Sequence, residues 1–256
     1  MANPRKRRAK LSVSGETACV NCPLRKRPIF RQFDAKELEF VEWFKTAELV
    51  AEPGAGVLTE GQVSPHLYTI LSGWAFRYKM LPDSRRQILN FAMPGDLVGL
   101  QGPVMNEMQH SVEALTNIRL CVFPRERLWK LYASHPELAH DLVWLAMRGE
   151  RMADEHLLAL GQRSASERIG YLLLHLYNRC RALDLANGSR FALPLTQRHI
   201  ADSLGLSLVH TNKTLRRLAA QKLVRFSESF VDISNELELR RIAHYDENDG
   251  DRRPLI

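Results

Sequence analysis

Hydrophobic and polar positions change rhythm three times along the chain. From about Ala51 to Pro124, short apolar runs alternate with turn residues: VLTEG, LYTILSG, WAFRYKML, QILNFAMPGD, SVEAL and IRLCVFP. The breaks fall at Pro53-Gly54, Gly61, Gly73, Pro82-Asp83, Pro94-Gly95-Asp96 and Gly102-Pro103. Many short strands with regular turn signals predict a sandwich or barrel-like β domain. Before it, Leu38, Val41, Phe44 and Leu49 share a roughly helical face. After Pro136 the chain is almost free of proline. Leu138, Leu142, Leu145, Gly149, Met152, His156 and Ala159 recur at alternating spacings of four and three. That heptad-like seam predicts a long helix, suited either to a dimer contact or to packing on its own β domain.

The third rhythm is LTQRHIADSLGLSLVHTNKTLRRL, beginning at Leu195. Ile200, Leu204, Leu206 and Leu215 can face inward. Ala201 is small where two helices would cross, and Gly205 sits where the chain must turn sharply. Ser207 is a good N-cap for a second helix. A small residue, a glycine turn and a capped basic helix form a helix-turn-helix pattern, whose second helix enters a major groove. The runs from Leu223 to Ile233 predict a hairpin, the wing. Asn235 and Glu238 have the spacing of a capping box for a last helix. Residues 1–16 and the end, DENDGDRRPLI, read as solvated arms.

On the predicted second helix, Leu208, Val209, Asn212 and Lys213 share an exposed face, with Arg216 one turn on. Asparagine can pair with adenine, lysine can reach guanine, and apolar side chains can read thymine methyls. Lys213, Arg216, Arg217, Lys222 and Arg225 supply phosphate contacts that position without specifying sequence. His210 fits a phosphate contact too. An ordinary helical hairpin with a solvated basic face is the plainer alternative.

Composition sharpens this. The 256 residues, 45% of them hydrophobic and 25% charged, suffice for one large or two small domains. A formal net charge of +7 favours an anionic partner. No apolar run approaches the ~18–20 residues that span a bilayer, and no apolar stretch follows the basic N-terminus. A cytoplasmic location without membrane contact is expected, where the four cysteines would stay reduced, bind metal or sense redox state. No nucleophile–base constellation, phosphate-cradling glycine loop or paired carboxylate motif appears, so an enzyme is not expected. A β domain that binds a ligand or acts as a scaffold, with the winged helix contacting protein, is the alternative to a DNA-binding regulator.

These stretches together, in this order, resemble the Crp/Fnr family of bacterial transcription regulators. EGQVSPHLYTILSGWAFRY and FAMPGDLVGL resemble its cyclic-nucleotide-binding β-roll, and the helix after Pro136 its dimerisation helix. The resemblance runs from about Cys19 to Ile233. It implies an α+β fold: an N-terminal β-roll (a double-stranded β-helix), a long dimerisation helix and a C-terminal winged helix-turn-helix. The implied parts are a basic, Cys-containing segment at 1–33, the β-roll at 34–135, the dimerisation helix at 136–163, the DNA-binding domain at 164–234, and a helix and tail at 235–256. It also implies a homodimer on a palindromic site with half-sites roughly 34–36 Å apart, and RNA polymerase as a partner for activation.

Departures from the family pattern matter. Gly95, Leu100, His110 and Ser111 mark the implied ligand pocket. Members that bind cyclic AMP carry a Glu where Leu100 stands and an Arg-Ser pair where His110-Ser111 stands. A cyclic phosphate wants a bidentate arginine, so cyclic AMP is not expected. Val209 and Lys213 replace the family's usual base-reading Glu and Arg, so the sequence read does not carry over. The oxygen-sensing members hold an iron–sulfur cluster on four cysteines. Cys19, Cys22 and Cys121 match three; the fourth would fall near Arg27 or Pro28, and neither is cysteine. A cluster then needs another ligand. Thiol redox chemistry, favoured by Arg25, Lys26 and Arg27 as cations that lower a thiol pKa, and no sensing role at all both stay open. Cys180 shares a helical face with Ile169, Leu173 and Leu176 and is expected in the core. His110, His156 and His210 lack clustered ligand spacing and are expected as surface or packing residues.

Overall fold

The computed structural model describes residues 10–15, 17–246 and 252–256. The first half carries strands β1 (Leu11–Ser14), β2 (Ala47–Ala51), β3 (Gly56–Leu58), β4 (His66–Ser72), β5 (Ala75–Met80), β6 (Arg86–Ala92), β7 (Leu97–Val98), β8 (Ser111–Ala114) and β9 (Ile118–Pro124). Helix α1 (Ala35–Phe44) precedes β2, α2 (Gln101–Met105) follows β7, and α3 (Leu128–Ser134) follows β9. The strands form two sheets, ordered β1-β2-β9-β4-β7 and β3-β8-β5-β6. Alternation drives this closure. Along β9, Ile118, Leu120 and Val122 are buried and pack with Leu58, Tyr68, Ile70, Val98, Met108 and Val112 between the sheets.

Two expectations about this half change. Residues 11–14 are no solvated arm: β1 pairs antiparallel with β2, Leu11 opposite Ala51 and Val13 opposite Leu49, because the edge of β2 offers unpaired backbone groups. Residues 1–9 and 16 of that predicted arm lie outside the described residues. Leu49 does not continue the helical face. Helix α1, capped reciprocally by Asp34 and Glu37, ends at Phe44, and Leu49 pairs with Leu120 of β9.

The predicted long helix is α4 (Pro136–Gln162), with proline at its start, where a missing N–H does no harm. Its heptad-like seam turns inward. Leu138, Leu142 and Ala159 are buried within the same protomer. The outward stripe is instead Val143, Met147, Glu150, Asp154 and Leu157, all exposed.

The second half follows a break at Arg163, whose backbone is extended. Helix α5 (Ala165–Ala182) opens with Ser164 and Glu167 in a reciprocal capping box. Strands β10 (Ala186–Asn187) and β11 (Arg190–Ala192) follow, then α6 (Gln197–Leu204), α7 (Leu208–Ala220), β12 (Arg225–Ser227), β13 (Phe230–Asp232) and α8 (Glu236–Ala243). The four strands form one sheet, ordered β10-β11-β13-β12. Ile169, Leu173, Leu176 and Cys180 of α5 are buried with Leu204, Leu215, Leu218, Val231 and Leu239. Cys180 is thus a core residue, as its helical face predicts.

The far end of the chain also departs from expectation. Residues 247–251 of the predicted tail lie outside the described residues, but residues 253–256 are buried rather than solvated. Leu255 joins the core built on α5, and Ile256 packs with Phe40, Leu67 and Phe123. Arg253 pairs in a bridge with Phe30. Two large apolar side chains and a paired guanidinium gain more by burial than a short segment loses in freedom.

Candidate nucleic-acid interface

The interface is built from α6 upward. Thr196 Oγ1 accepts from the His199 backbone N–H at 3.2 Å, and His199 Nδ1 accepts from the Thr196 N–H at 3.2 Å. The pair is a capping box with histidine in place of the usual Glu or Gln. Gly205 ends α6 in the left-handed region, with φ of 62°, and the chain turns within three residues. Ser207 Oγ accepts from the His210 N–H at 3.2 Å, starting α7. Thr211, Thr214, Leu215 and Leu218 face the core.

Helical geometry then fixes what faces out. Val209 is 80% exposed, and Lys213 and Arg216, at the next two turns of the same face, are exposed as well. Ser207, Leu208 and His210 are exposed at the start of the helix. Asn212 flanks the face half-buried, and its Oδ1 accepts from Gln197 Nε2 at 3.4 Å. Arg217 lies on the opposite flank and donates to Ser166 Oγ at the start of α5. Of the candidate DNA-contact residues Ser207, Leu208, Val209, His210, Asn212, Lys213, Arg216 and Arg217, all but Arg217 therefore lie on or beside the outward face; Arg217 is turned back to its own protomer. Beside them a groove of about 330 Å³ runs between α7 and the hairpin, lined by Gln197, Asn212, Arg216, Phe226, Glu228 and Phe230. The Arg190 guanidinium lies 4.3 Å from the Phe230 ring centre. Gln197, Phe226 and Phe230 are not among the candidate residues the sequence marks. A glutamine one residue after a helix cap gives no signal of which neighbouring side chain it meets.

The opposite face of this half is docked on the β-roll. Arg86 of β6 bonds Asp202 of α6 at 2.9 and 3.0 Å. Gln87 Nε2 donates to the Ser203 carbonyl at 3.0 Å, and the Phe76 and His199 rings are 5.4 Å apart. Asp96, in the Pro94-Gly95-Asp96 turn, is the deepest contact. It accepts from the Met93 N–H at 2.8 Å and from Arg253 at 3.0 Å. It also pairs with Arg179 of α5 in direct contact and with Arg148 of α4 at 3.6 Å. Burial alone would raise its pKa, but the three guanidiniums hold the carboxyl far below its ordinary range.

Each residue of the implied ligand pocket has a packing or hydrogen-bond partner within the protein. A Cβ at Gly95 would lie 2.3 Å from the Phe30 ring, so this glycine admits Phe30 and Arg253. Leu100 packs toward the cluster of Phe40 and Phe123. Ser111 Oγ accepts from the Glu60 N–H at 3.1 Å. His110 is buried against Arg77, whose Nε approaches its Nε2 at 2.9 Å. Burial, then the charges of Arg77 and Lys79, drive the imidazole pKa down to about 3, so the ring is neutral. His156 is likewise lowered by burial, and of His110, His156 and His210 the last alone is exposed.

Cys19, Cys22 and Cys121 approach one another between the N-terminal segment and β9. Cys121 lies opposite Glu48 and Thr69 on the outer face of its sheet. Glu48 is fully buried, held by Lys45 at 2.7 Å and by Arg119. The expected lowering of thiol pKa is reversed. Burial pushes Cys19 up to about 11 and Cys121 up to about 12, outweighing the Lys45 charge. Three thiols leave an iron–sulfur cluster one ligand short. Among the described residues no group of three or more His, Cys, Asp or Glu is arranged to hold a metal ion. The donor set does not fit an iron–sulfur cluster.

A closed two-sheet roll, a long helix and a winged helix whose second helix faces outward define a DNA-binding transcription regulator. Residues 48–135 match the cyclic nucleotide-binding domain and residues 167–242 the Crp-like helix-turn-helix domain. The chain is 31% identical over 226 residues to the nitrogen fixation regulation protein FixK of Bradyrhizobium diazoefficiens, covering 88% of this chain and 93% of FixK. It is 30% identical over 203 residues to the transcriptional activator protein FnrL of Cereibacter sphaeroides, covering 78% of this chain and 81% of FnrL. The solved structure of FixK2 from Bradyrhizobium japonicum superposes with a TM-score of 0.71 at 28% identity, covering 78% of this chain and 98% of that one. The chain belongs to the Crp/Fnr family of transcription regulators. Its relatives are regulators and not enzymes. No helix among the described residues is long and apolar enough to cross a membrane.

Proposed function

We propose that this regulator works as a homodimer on a palindromic DNA site and activates transcription, with the β-roll as a ligand-free control domain. One observation carries the DNA reading. Val209, Lys213 and Arg216 form an exposed face on α7 with no ion pair among the described residues, while Thr211, Thr214, Leu215 and Leu218 on the other side of the helix are buried. Asn212, Lys213 and Val209 read base edges; His210 and Arg216 contact phosphates.

The dimer forms along the outward stripe of α4. Val143, Met147 and Leu157 are exposed apolar side chains at helical spacing, and a second copy of the same helix would cover them. Activation follows the names of relatives such as FnrL and requires RNA polymerase as a partner. The roll interior is filled by its own side chains, among them Ile70, Met108 and Val112, so it needs no cyclic AMP. The three thiols work as packing groups rather than cluster ligands.

The test is a salt series of DNA binding. A fragment library selects the site, and affinity for it is measured from low to physiological salt. A steep fall of log affinity with log salt, with a two-fold symmetric protected site, is expected. Binding that ignores salt, or no selected site at all, overturns the reading.

A further inference from the structure

Where α4, α5 and residues 252–256 meet, a cavity of about 40 Å³ is lined by Ile29, Arg148, Asn178, Arg179, Leu183 and Arg253. A water needs roughly 10–15 Å³ of such space. The cavity thus suits two or three waters or one small ion, and it is too small for a nucleotide. DNA recognition does not use it.

Its polar lining is rich in donors: Arg148, Asn178, Arg179 and Arg253. Arg179 and Arg253 are 5% and 4% exposed and share one carboxylate, Asp96. Arg179 also donates to the Phe91 carbonyl at 2.8 Å, and Arg253 to the Pro94 carbonyl at 2.7 Å. The Nε of Arg179, the Nε of Arg253 and the Nδ2 of Asn178 are buried with no acceptor among the described residues. Asn178 Oδ1 accepts from Arg240 at 3.3 Å, so the amide is oriented and its NH₂ is the end left over. Buried donors without acceptors are rare in folded proteins. The positive field is strong: burial, with Arg148 and Arg179 adding to it, outweighs Asp96 and pulls the Arg253 guanidinium down to about 10.

We propose that this cavity binds a small oxyanion of the phosphate class, held by Arg179, Arg253 and Asn178. Guanidinium forks match oxyanions in geometry as well as charge. Held there, the anion ties the first helix of the DNA-binding half to the long helix and to residues 252–256. The same chemistry has a second source in the chain itself, the carboxylates of Glu247, Asp249 and Asp251.

Thermal unfolding of the full chain in sodium phosphate, against sodium chloride at matched ionic strength, reads the site. A saturable rise in Tm of roughly 5 °C is expected; general salting-out by phosphate rises without saturating. Asn178→Asp keeps the oxygen that Arg240 uses and brings a carboxylate to the cavity. It is expected to raise Tm in chloride and to remove the phosphate response. A calorimetric titration of inorganic phosphate into folded protein needs no unfolding. It should find one site per chain in the wild type and in Arg216→Ala, and none in Asn178→Asp. No saturable difference between the two salts in Tm, together with no titration, overturns the proposal. So does binding that survives Asn178→Asp but is lost in Arg216→Ala, which places phosphate on the DNA-facing helix. Phosphate binding that appears only in the Glu247→Gln, Asp249→Asn, Asp251→Asn triple variant assigns the cavity to the chain's own carboxylates and also overturns it.

Discussion

The DNA-binding half has two faces of opposite character. On one, Asp202, Ser203, His199 and Arg179 are engaged with the β-roll through charge pairs, a backbone carbonyl and a ring contact. On the other, Val209, Lys213 and Arg216 stand exposed. Charges are present on both, but their surroundings differ. Asp96 is desolvated and surrounded by guanidiniums, so removing it strands buried positive charge. Lys213 is hydrated and screened, so removing it scarcely touches stability. The docked face determines where the helix-turn-helix sits, and the exposed face determines what it reads. Damage to each should appear in a different measurement.

The largest expected break is on the docked face. Asp96→Asn should lower unfolding free energy by about 3–5 kcal/mol, because buried guanidiniums lose their carboxylate. Denaturant titration at neutral pH measures this. The folded-state pKa of Asp96 is depressed, so its contribution is present above its unfolded pKa of about 3.9 and disappears as pH falls below it. The variant should therefore lose less stability than the wild type on acidification below about pH 4.

The exposed face should break differently. Asn212→Ala should weaken cognate binding by about 1–3 kcal/mol and relax preference at one base position, with stability nearly unchanged. Equal weakening at every sequence would make Asn212 a positioning residue, consistent with its bond to Gln197. Lys213→Ala should lower affinity and reduce the salt slope by about 1 if its part is phosphate contact. An unchanged slope with altered base preference would assign it to readout.

His110 gives a smaller, pH-dependent contrast. Its folded pKa of about 3 lies below the unfolded value of about 6.5. The unfolded chain takes up a proton first, so stability is lost as pH falls from about 6.5 toward 3. His110→Gln should flatten that part of the stability profile while leaving DNA affinity unchanged. The smallest effect is expected at the thiols. Cys19→Ser should leave the DNA affinity of anaerobically purified protein unchanged, and the wild type should be colourless and free of iron and sulfide. A broad visible absorbance that bleaches in air would overturn the reading of the cysteines as packing groups.

The sequence alone determined the elements whose signals are local. Gly205 after a small Ala201, Ser207 as a cap and the 3.6-residue spacing of α7 made the helix-turn-helix legible, because turn geometry, capping and helical periodicity act within a few residues. The same locality put Cys180 in the core. Tertiary structure decided whatever depended on a partner distant in sequence. Which stripe of α4 faces outward depends on what covers Leu138 and Ala159, and the α4 sequence is compatible with either stripe. Cys19 and Cys121 have raised pKa values because burial outweighs the cations, and burial is a property of the assembled layers. Arg253 reads as a solvated charge until Asp96, 157 positions away, is seen to receive it. Long-range packing sets desolvation, and desolvation sets whether a charge is a surface ornament, a strut or a ligand site.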